Sequence, residues 1–453
     1  MEKKMDPVLL ADDIAAKALK KGCDSAEVYI KTAKRLSVEA KDNAIEALES
    51  SRDLGISLKV IKNQRQGFSF TTAPESIDDM IDKAVRSADW TAEDKYIDIP
   101  EYSPASQALV LDEKIRDIKE DDIIKNALSL ERSALDLDAR IRKVRKAELG
   151  LSIGSTTIFN SKGVNISYES AYMTAELTLL ASDGRDSQMG WDFAVSRRPG
   201  DIDLESIARR AGQRAVSLLG AKKISNVKVP VILDPSVACD FLSILSSSVS
   251  ADAVQKKRSF LYGKAGKKII SPLINIIDDG VMPWGTGTKP VDDEGVPTVK
   301  KTIVSAGTLT GYIHNTYTAK KQGVESTGNA SRGSFRGLPG IAVTNFYIEP
   351  KQNEKWEMRN RKENKLIKSV SKGLLILDAM GVHTANHVSG DFSVGISGLW
   401  IENGEIKYPV KEAVMSGNIL ELFNRVEAVG DDLRFYGSTG SPGLLIGEVD
   451  ISA

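Results

Sequence analysis

Two stretches of this chain end in the same way, and that repetition constrains its fold more than any other feature. Gly67-Phe68-Ser69-Phe70 and Gly190-Trp191-Asp192-Phe193 each close a run of strand-like sequence, and each is followed by a polar loop and an amphipathic helix. Before the first lie AEVYI, RLSVEA, AIEALESS and GISLKVI, in which alternation such as Leu36, Val38, Ala40 marks half-buried antiparallel strands. The second closes a strand-rich region from Ile141 to Phe193, with turns at Ser161-Lys162-Gly163 and Asp183-Gly184. A sheet-plus-helix unit used twice explains the pattern; coincidence is the competing explanation.

The helices have start and stop signals. Asp6 caps a first helix with Pro7 in its first turn, and Leu10, Ile14 and Ala18 share a face before Gly22 ends it. A second runs from about Pro74 with Ile77, Ile81, Ala84 and Val85 buried, and a third from about Asp121 with Ile124, Leu128 and Leu135 on one side. A fourth spans about Asp203 to Leu219. Residues 95–114 read as a connector, and KKISNVK near Lys222 as a linker.

Beyond the linker, strand Val229–Leu233 leads into a helix that Asp234 caps, bearing Ala238, Phe241, Leu242 and Leu245. After Gly263 the text is rich in Gly, Ser and Thr with short apolar strands, notably Gly340–Ile348 and Gly373–Asp378, and a last helix is expected over about Lys411 to Val426. The fold class is therefore α+β: an N-terminal antiparallel sheet with helices (residues 1–222, with units 1–95 and 115–222), then a β-rich C-terminal domain (228–453). A chain of 453 residues is long enough to bury large cores without disulfides or structural metal.

Charge and cysteine usage bound the function. Lys and Arg number 61 against 62 Asp and Glu, so no global attraction to phosphate exists, and nucleic acid is not an expected partner. The basic runs Lys256-Lys257-Arg258 and Lys267-Lys268 read as solvated faces. Cys23 and Cys239, far apart in sequence, suit a reducing cytosol, and Cys239 falls on an apolar helix face as a buried thiol. No apolar run approaches the ~20 residues that span a bilayer, so a cytoplasmic protein without membrane contact is expected.

The three histidines, His314, His383 and His387, nearly exhaust the options for zinc or general-base chemistry. His383, His387 and Asp391 recur every four residues, which on a helix would put three ligands on one face. The glycines, serines and β-branched residues around them disfavour a helix, and on a loop that spacing carries no meaning. No H-E-x-x-H motif, G-x-S-x-G elbow, Walker loop or dinucleotide fingerprint is present. The glycines of Gly323–Gly340 read as turns bordering a cleft or an interface, and Trp284, Trp356 and Trp400 as core or interface anchors.

HTANHVSGDFSVGISGLWIENGE, His383 to Glu405, resembles the C-terminal signature of the TldD/PmbA family. The resemblance extends to LSVEAKDNAIEALESSRDLGISLKVI followed by GFSFT, with Gly55 and Gly67 in place, to Ile158–Gly163, to VILDPSVACDFL, and to EAVMSGNILELF with Asn418. It implies a cytosolic metallopeptidase system, also known for modulation of gyrase. TldD-type chains of this family hold metal with a His-Glu-x-x-x-His helix and a later cysteine. PmbA-type (TldE) chains lack these ligands and pair with a TldD-type chain around a shared cavity. The present chain has DPSVACDFLSIL where that helix is expected, and no cysteine after Cys239, so the resemblance places it in the second branch.

The function so implied is that of a non-catalytic, peptide-cavity-forming subunit, with zinc expected in a TldD-type partner and no cofactor or catalytic residue in this chain. Peptide or partner contacts are expected from His383, Asn386, Ser389, Gly390 and Asp391, which equally well build only a turn. A homodimer is expected for the chain alone, with Phe392 and Trp400 contributing to its interface. One competing expectation is a stand-alone metallopeptidase with His314, His383, His387 and Asp391 around a metal. Another, a gyrase- or nucleic-acid-associated protein, lacks any DNA-binding motif to support it.

Overall fold

The computed structural model describes residues 6–350 and 365–452. In the N-terminal half the elements run α1 (Pro7–Lys20), β1 (Ser25–Lys41), β2 (Ala44–Lys62), β3 (Arg65–Thr71), α2 (Ile77–Ala88), α3 (Glu120–Leu135), β4 (Ile141–Asn160), β5 (Asn165–Ser182), β6 (Ser187–Ser196) and α4 (Leu204–Ser217). The strands form one antiparallel sheet in the order β3-β2-β1-β4-β5-β6. Segments that read as separate short strands, AEVYI with RLSVEA and AIEALESS with GISLKVI, are single long strands β1 and β2. Nothing in them stops the ladder, which continues through the exposed residues between.

Those long strands carry two cores on one face. Ala26, Val28 and Ile30 of β1 pack under α1 and α2, while Val38 and Ala40, further along the same face, pack under α3 and α4. At each outer strand a helix lies directly on a glycine. A Cβ at Gly67 would meet the Ala84 carbonyl of α2 at 2.0 Å, and one at Gly190 would meet the Ala211 carbonyl of α4 at 2.0 Å. The repeated Gly-aromatic-polar-Phe motif thus has one physical role in both places, which is close approach of helix to strand.

The third helix presents a different face from the expected one. It buries Ile123, Ala127, Leu130 and Ala134, leaving Ile124 and Leu128 half-buried and Leu135 exposed. An apolar stripe on either side of this helix satisfies a 3.6-residue period, and packing against β4 selected the side rich in alanine.

The C-terminal half continues with β7 (Val227–Leu233), α5 (Pro235–Ser248), α6 (Ala251–Gln255), β8 (Ile276–Asp279), β9 (Lys300–Ser305), β10 (Thr308–Leu309) and α7 (Thr316–Gln322). Then follow β11 (Ala330–Ser331), β12 (Gly340–Ile341), β13 (Phe346–Ile348), α8 (Lys365–Lys368), β14 (Lys372–Met380), β15 (Asp391–Glu402) and β16 (Glu405–Asn418). The chain ends with α9 (Ile419–Asn424), β17 (Val426–Val429), β18 (Arg434–Tyr436), β19 (Thr439–Ser441) and β20 (Leu444–Ser452). Strands β16-β15-β14-β7-β20 close on themselves through a β16–β20 pairing, giving a barrel, and a second sheet runs β10-β9-β8-β13-β19-β18. Alternation sorts the barrel residues. Val231, Leu233, Leu374, Ile376, Leu444 and Ile446 join the large core with α5, whereas Ile232, Leu375 and Leu445 face a smaller cluster with Leu366 and Val370.

The last helix is much shorter than the sequence suggested. Residues 405–418 are strand β16, paired residue by residue with β15, and only Ile419–Asn424 are helical. Lys411, Glu412, Ala413 and Met415 suit a helix locally, but the β15 edge supplies hydrogen-bond partners that an isolated helix turn cannot match. Asn418 then caps the helix by accepting from Leu420 N–H at 3.1 Å.

Replacing Gly67 or Gly190 by Ala should lower stability by ~1–3 kcal/mol each, since a methyl group must displace helix backbone. Gly200→Ala, with open space around the site, should stay within ~0.5 kcal/mol of the parent. Urea titrations of the three variants check this.

Candidate functional site

The residues from His383 to Asp391 form the turn between β14 and β15, and its hydrogen bonds are mostly internal. Asn386 Oδ1 accepts from Val388 and Ser389 N–H at 2.8 and 3.2 Å, Gly390 N–H donates to Asn386 O at 2.7 Å, and Asn386 N–H donates to Asp391 O at 2.8 Å. Asn418, opposite Asp391 in the β15–β16 ladder, donates from Nδ2 to Ser389 O and Asp391 Oδ1, both at 2.9 Å. Those bonds, with one from Ser389, hold the Asp391 carboxyl below its ordinary range. Gly390 has φ +84°, and a Cβ there would press on Asn418 and Phe260 at 3.3 Å.

Four of the five signature residues nevertheless face solvent. His383, Asn386, Ser389 and Asp391 are exposed, and Gly390 is buried. The expected spacing of His383, His387 and Asp391 has no helix under it, because the segment is a short turn at Val382–Thr384 followed by the Asx turn. His387 Nδ1 lies 2.9 Å from Ser247 Oγ of α5. His314, just before the Asn315 cap of α7, is buried, with its backbone bonded to Thr327 and its Nδ1 without a partner among the described residues, and burial pulls its pKa down. Among the described residues no three His, Cys, Asp or Glu side chains are arranged to hold a metal ion. Among the described residues, then, no donor set of the kind a zinc centre needs is brought together.

Phe392 and Trp400 do not sit at an exposed interface. Phe392 packs edge-on to Phe241 with ring centres 5.0 Å apart, and both signature aromatics are buried in the chain's own core. Trp284 is half-buried beside the Arg198 guanidinium, and Trp356 lies outside the described residues.

Helix α5 occupies the position where a metal-bearing helix is expected by resemblance. Asp234 caps it, accepting from Ser236 N–H at 3.0 Å, and Arg214 of α4 reaches both Asp234 (3.2 Å) and Ser236 Oγ (3.0 Å). Cys239 is buried, its thiol pushed up to about 12 by desolvation. The helix exposes Asp240, Ser243 and Ser247. Partial burial, and then the negative charge of Asp378 on β14, push the Asp240 carboxyl up to about 6 against the pull of Arg214.

A second polar site, which the sequence did not single out, lies where the bare face of the N-terminal sheet meets the loops of residues 285–340. Arg332 donates to Glu27 Oε1 of β1 at 2.6 Å and to Gly337 O at 2.8 Å, its backbone N–H donates to Asp293 Oδ2 at 2.7 Å, and its guanidinium covers the Tyr29 ring. Lys59 of β2 donates to Asp98 O at 3.1 Å, with Glu27 Oε2 and Glu294 Oε1 at 3.8 and 4.0 Å. Arg197 spends its donors on the carbonyls of Gly285, Thr286 and Thr288. Gly55 of β2 leaves the space that the Phe335 ring fills. The run Asp292-Asp293-Glu294 was the available signal, since three consecutive acids beside a glycine are unusual in a β-rich core.

The fold agrees with comparisons to known proteins. Family profiles match three stretches: "PmbA/TldA metallopeptidase domain 1" at residues 26–88, the "central domain" at 113–219 and the "C-terminal domain" at 226–453. The chain thus belongs to the PmbA/TldD family of metallopeptidase-related proteins. A relative named metalloprotease PmbA homolog, from Buchnera aphidicola, is 28% identical over 433 residues, covering 94% of this chain and 93% of its own. A Thermotoga maritima structure described as a candidate modulator of a DNA gyrase superposes with a TM-score of 0.88 at 27% identity, covering 97% of this chain and 99% of its own. TldE from Thermococcus kodakarensis shares the fold, with a TM-score of 0.87 at 23% identity and coverage of 98% and 99%. Among the described residues no helix is long and apolar enough to cross a membrane.

Two measurements test the local chemistry. Asn418→Ala removes the helix cap and the bonds to Ser389 and Asp391, and should cost ~1–2 kcal/mol in a denaturant titration. Asp240 binds its proton more tightly folded than unfolded, so the native state takes up protons between the ordinary carboxyl range and about pH 6, and stability falls as pH rises through that window. Asp240→Asn should therefore raise the melting temperature at pH 7 and leave it unchanged at pH 3.

Proposed function

We propose that this chain is the non-catalytic, cavity-forming subunit of a TldD/TldE-type cytosolic metallopeptidase that processes unfolded peptides. The observation that carries this reading is the surface of α5. At the place where the TldD-type branch is expected to bear a His-Glu helix, this chain exposes Asp240, Ser243 and Ser247, and no cysteine follows Cys239. A zinc hydrolase requires a metal that polarises the scissile carbonyl and lowers the pKa of bound water to about 7, and the ligands for it would come from the partner chain. The signature turn, with His383, Asn386, Ser389 and Asp391 exposed on a scaffold fixed by Asn418, is the surface this subunit would offer to the peptide or the partner.

Alone, the chain is expected to form a homodimer, to bind less than about one tenth of a zinc per chain, as expected without a full ligand set, and to leave unfolded peptides intact. Mixed with a TldD-type chain bearing His-Glu-x-x-x-His, it should form a heterodimer on size-exclusion chromatography, and peptide cleavage should appear or rise. Asp391→Ala should then reduce cleavage by the mixture without loss of the heterodimer. Chelator-sensitive cleavage by this chain alone, abolished by His383→Ala, would overturn the proposal.

A further inference from the structure

A cavity of about 500 Å³ opens at the seam between the N-terminal sheet and the C-terminal half, within the range of small-ligand sites. Its charged walls are Lys59 of β2, Asp94 beyond α2, Asp252 and Lys256 at α6, and Glu294, with Tyr317 of α7 beside them. Both lysines are already engaged. Lys256 pairs with Asp252 at 2.8 Å, and Lys59 is buried between the Asp98 carbonyl and the Glu27 carboxylate. Asp94 accepts from Tyr317 OH at 2.8 Å and from Tyr96 N–H at 2.9 Å, neither of which carries a compensating charge.

Glu294 is the residue whose needs are unmet. It is only 2% exposed, and Oε2 accepts from Thr316 N–H at 2.9 Å, yet among the described residues Oε1 has no hydrogen bond, only a long ion pair with Lys59 Nζ at 4.0 Å. Behind it, Glu27 Oε2 is likewise without a hydrogen bond. Glu27 and Glu294 thus share one lysine, Lys59. Burial raises the Glu294 carboxyl above its ordinary range, with Lys59 opposing the shift and Glu27 adding to it. A buried carboxylate oxygen lining a cavity and lacking a donor is a costly arrangement that a bound cation relieves.

The geometry points to this cavity as a binding site for an organic cation, an ammonium or guanidinium group that donates to Glu294 Oε1 and lies near Asp94. On the peptide-handling reading given above, on which the biological source of the ligand rests, that group is either a Lys or Arg side chain or the free N-terminus of the peptide.

Calorimetric titration of the full chain with three probes tests it. N-acetyl-lysine methylamide carries the side-chain ammonium, glycylglycine amide the free N-terminus, and N-acetyl-norleucine methylamide is the neutral control. Saturable binding of the lysine or the glycyl probe, with none of the norleucine probe, is expected, and whichever cation binds identifies the source. Glu294→Gln, checked for folding by circular dichroism, should weaken that binding by about tenfold or more, the scale of a hydrogen bond to a buried charge. If Glu294→Gln does not fold, Asp94→Asn decides alone and should also weaken binding. No binding of either cation, equal binding of the norleucine probe, or unchanged affinity in the folded variants overturns the inference. Because no partner chain enters the titration, its failure leaves the subunit reading standing, and failure to support cleavage in the mixture leaves the cation site standing.

Discussion

The pairing of Glu27 with Arg332 is the interaction on which the rest of the molecule depends. It joins residues 305 positions apart in sequence, both side chains essentially without solvent, and it ties the bare face of the N-terminal sheet to the loops of the C-terminal half. Two charges removed from water are tolerable only with good geometry and with their remaining bonding capacity satisfied. Arg332 meets that condition through Gly337 O, Asp293 and the Tyr29 ring. Loss of either partner would leave the other buried without its main counter-charge, which costs ~3–5 kcal/mol in comparable cases. A second clamp at the other end of the seam, Asp192 between Arg210 and Arg434 at 2.7 and 2.5 Å, fixes the relative placement of the halves.

This arrangement explains why the N-terminal sheet has helices on one face only. The helices α1 to α4 cover the face that carries Ala26, Val28, Val38 and Ala40. The opposite face presents Glu27, Tyr29 and Lys59, which no amphipathic helix could cover without leaving charges unpaired. The loops that do cover it bring Asp292, Asp293, Glu294 and Arg332 with them. The cavity lies at that meeting, between Lys59 of the sheet and Glu294 of the covering loops.

Membership of a metallopeptidase-related family sits beside described residues among which no His, Cys, Asp or Glu cluster is arranged to hold a metal. Asp234 caps α5, Arg214 anchors its first turn from a different part of the chain, and Cys239 fastens it to the β19 sheet as a buried thiol. The helix is thus anchored at its first turn and on its buried face, while its exposed positions carry serine and aspartate. In the same way the signature turn is built by Asn386, Gly390 and Asn418 through hydrogen bonds, with its histidine left in solvent.

What the sequence determined by itself is whatever short-range physics controls. The caps at Asp6 and Asp234, the strand alternation and the repetition of the two Gly-aromatic motifs were all legible because each depends on residues a few positions apart. So was the family resemblance, carried by contiguous stretches. Tertiary structure decided the rest. It turned residues 411–418 into an edge-paired strand against their local preference, and chose the alanine-rich side of α3 for burial. It drew Phe392 and Trp400 into the core and kept His314 away from the exposed turn. It alone placed Glu27, Lys59, Glu294 and Arg332 together, because a buried charge is tolerated only where a partner from elsewhere in the chain arrives to meet it, and no local pattern records that arrival.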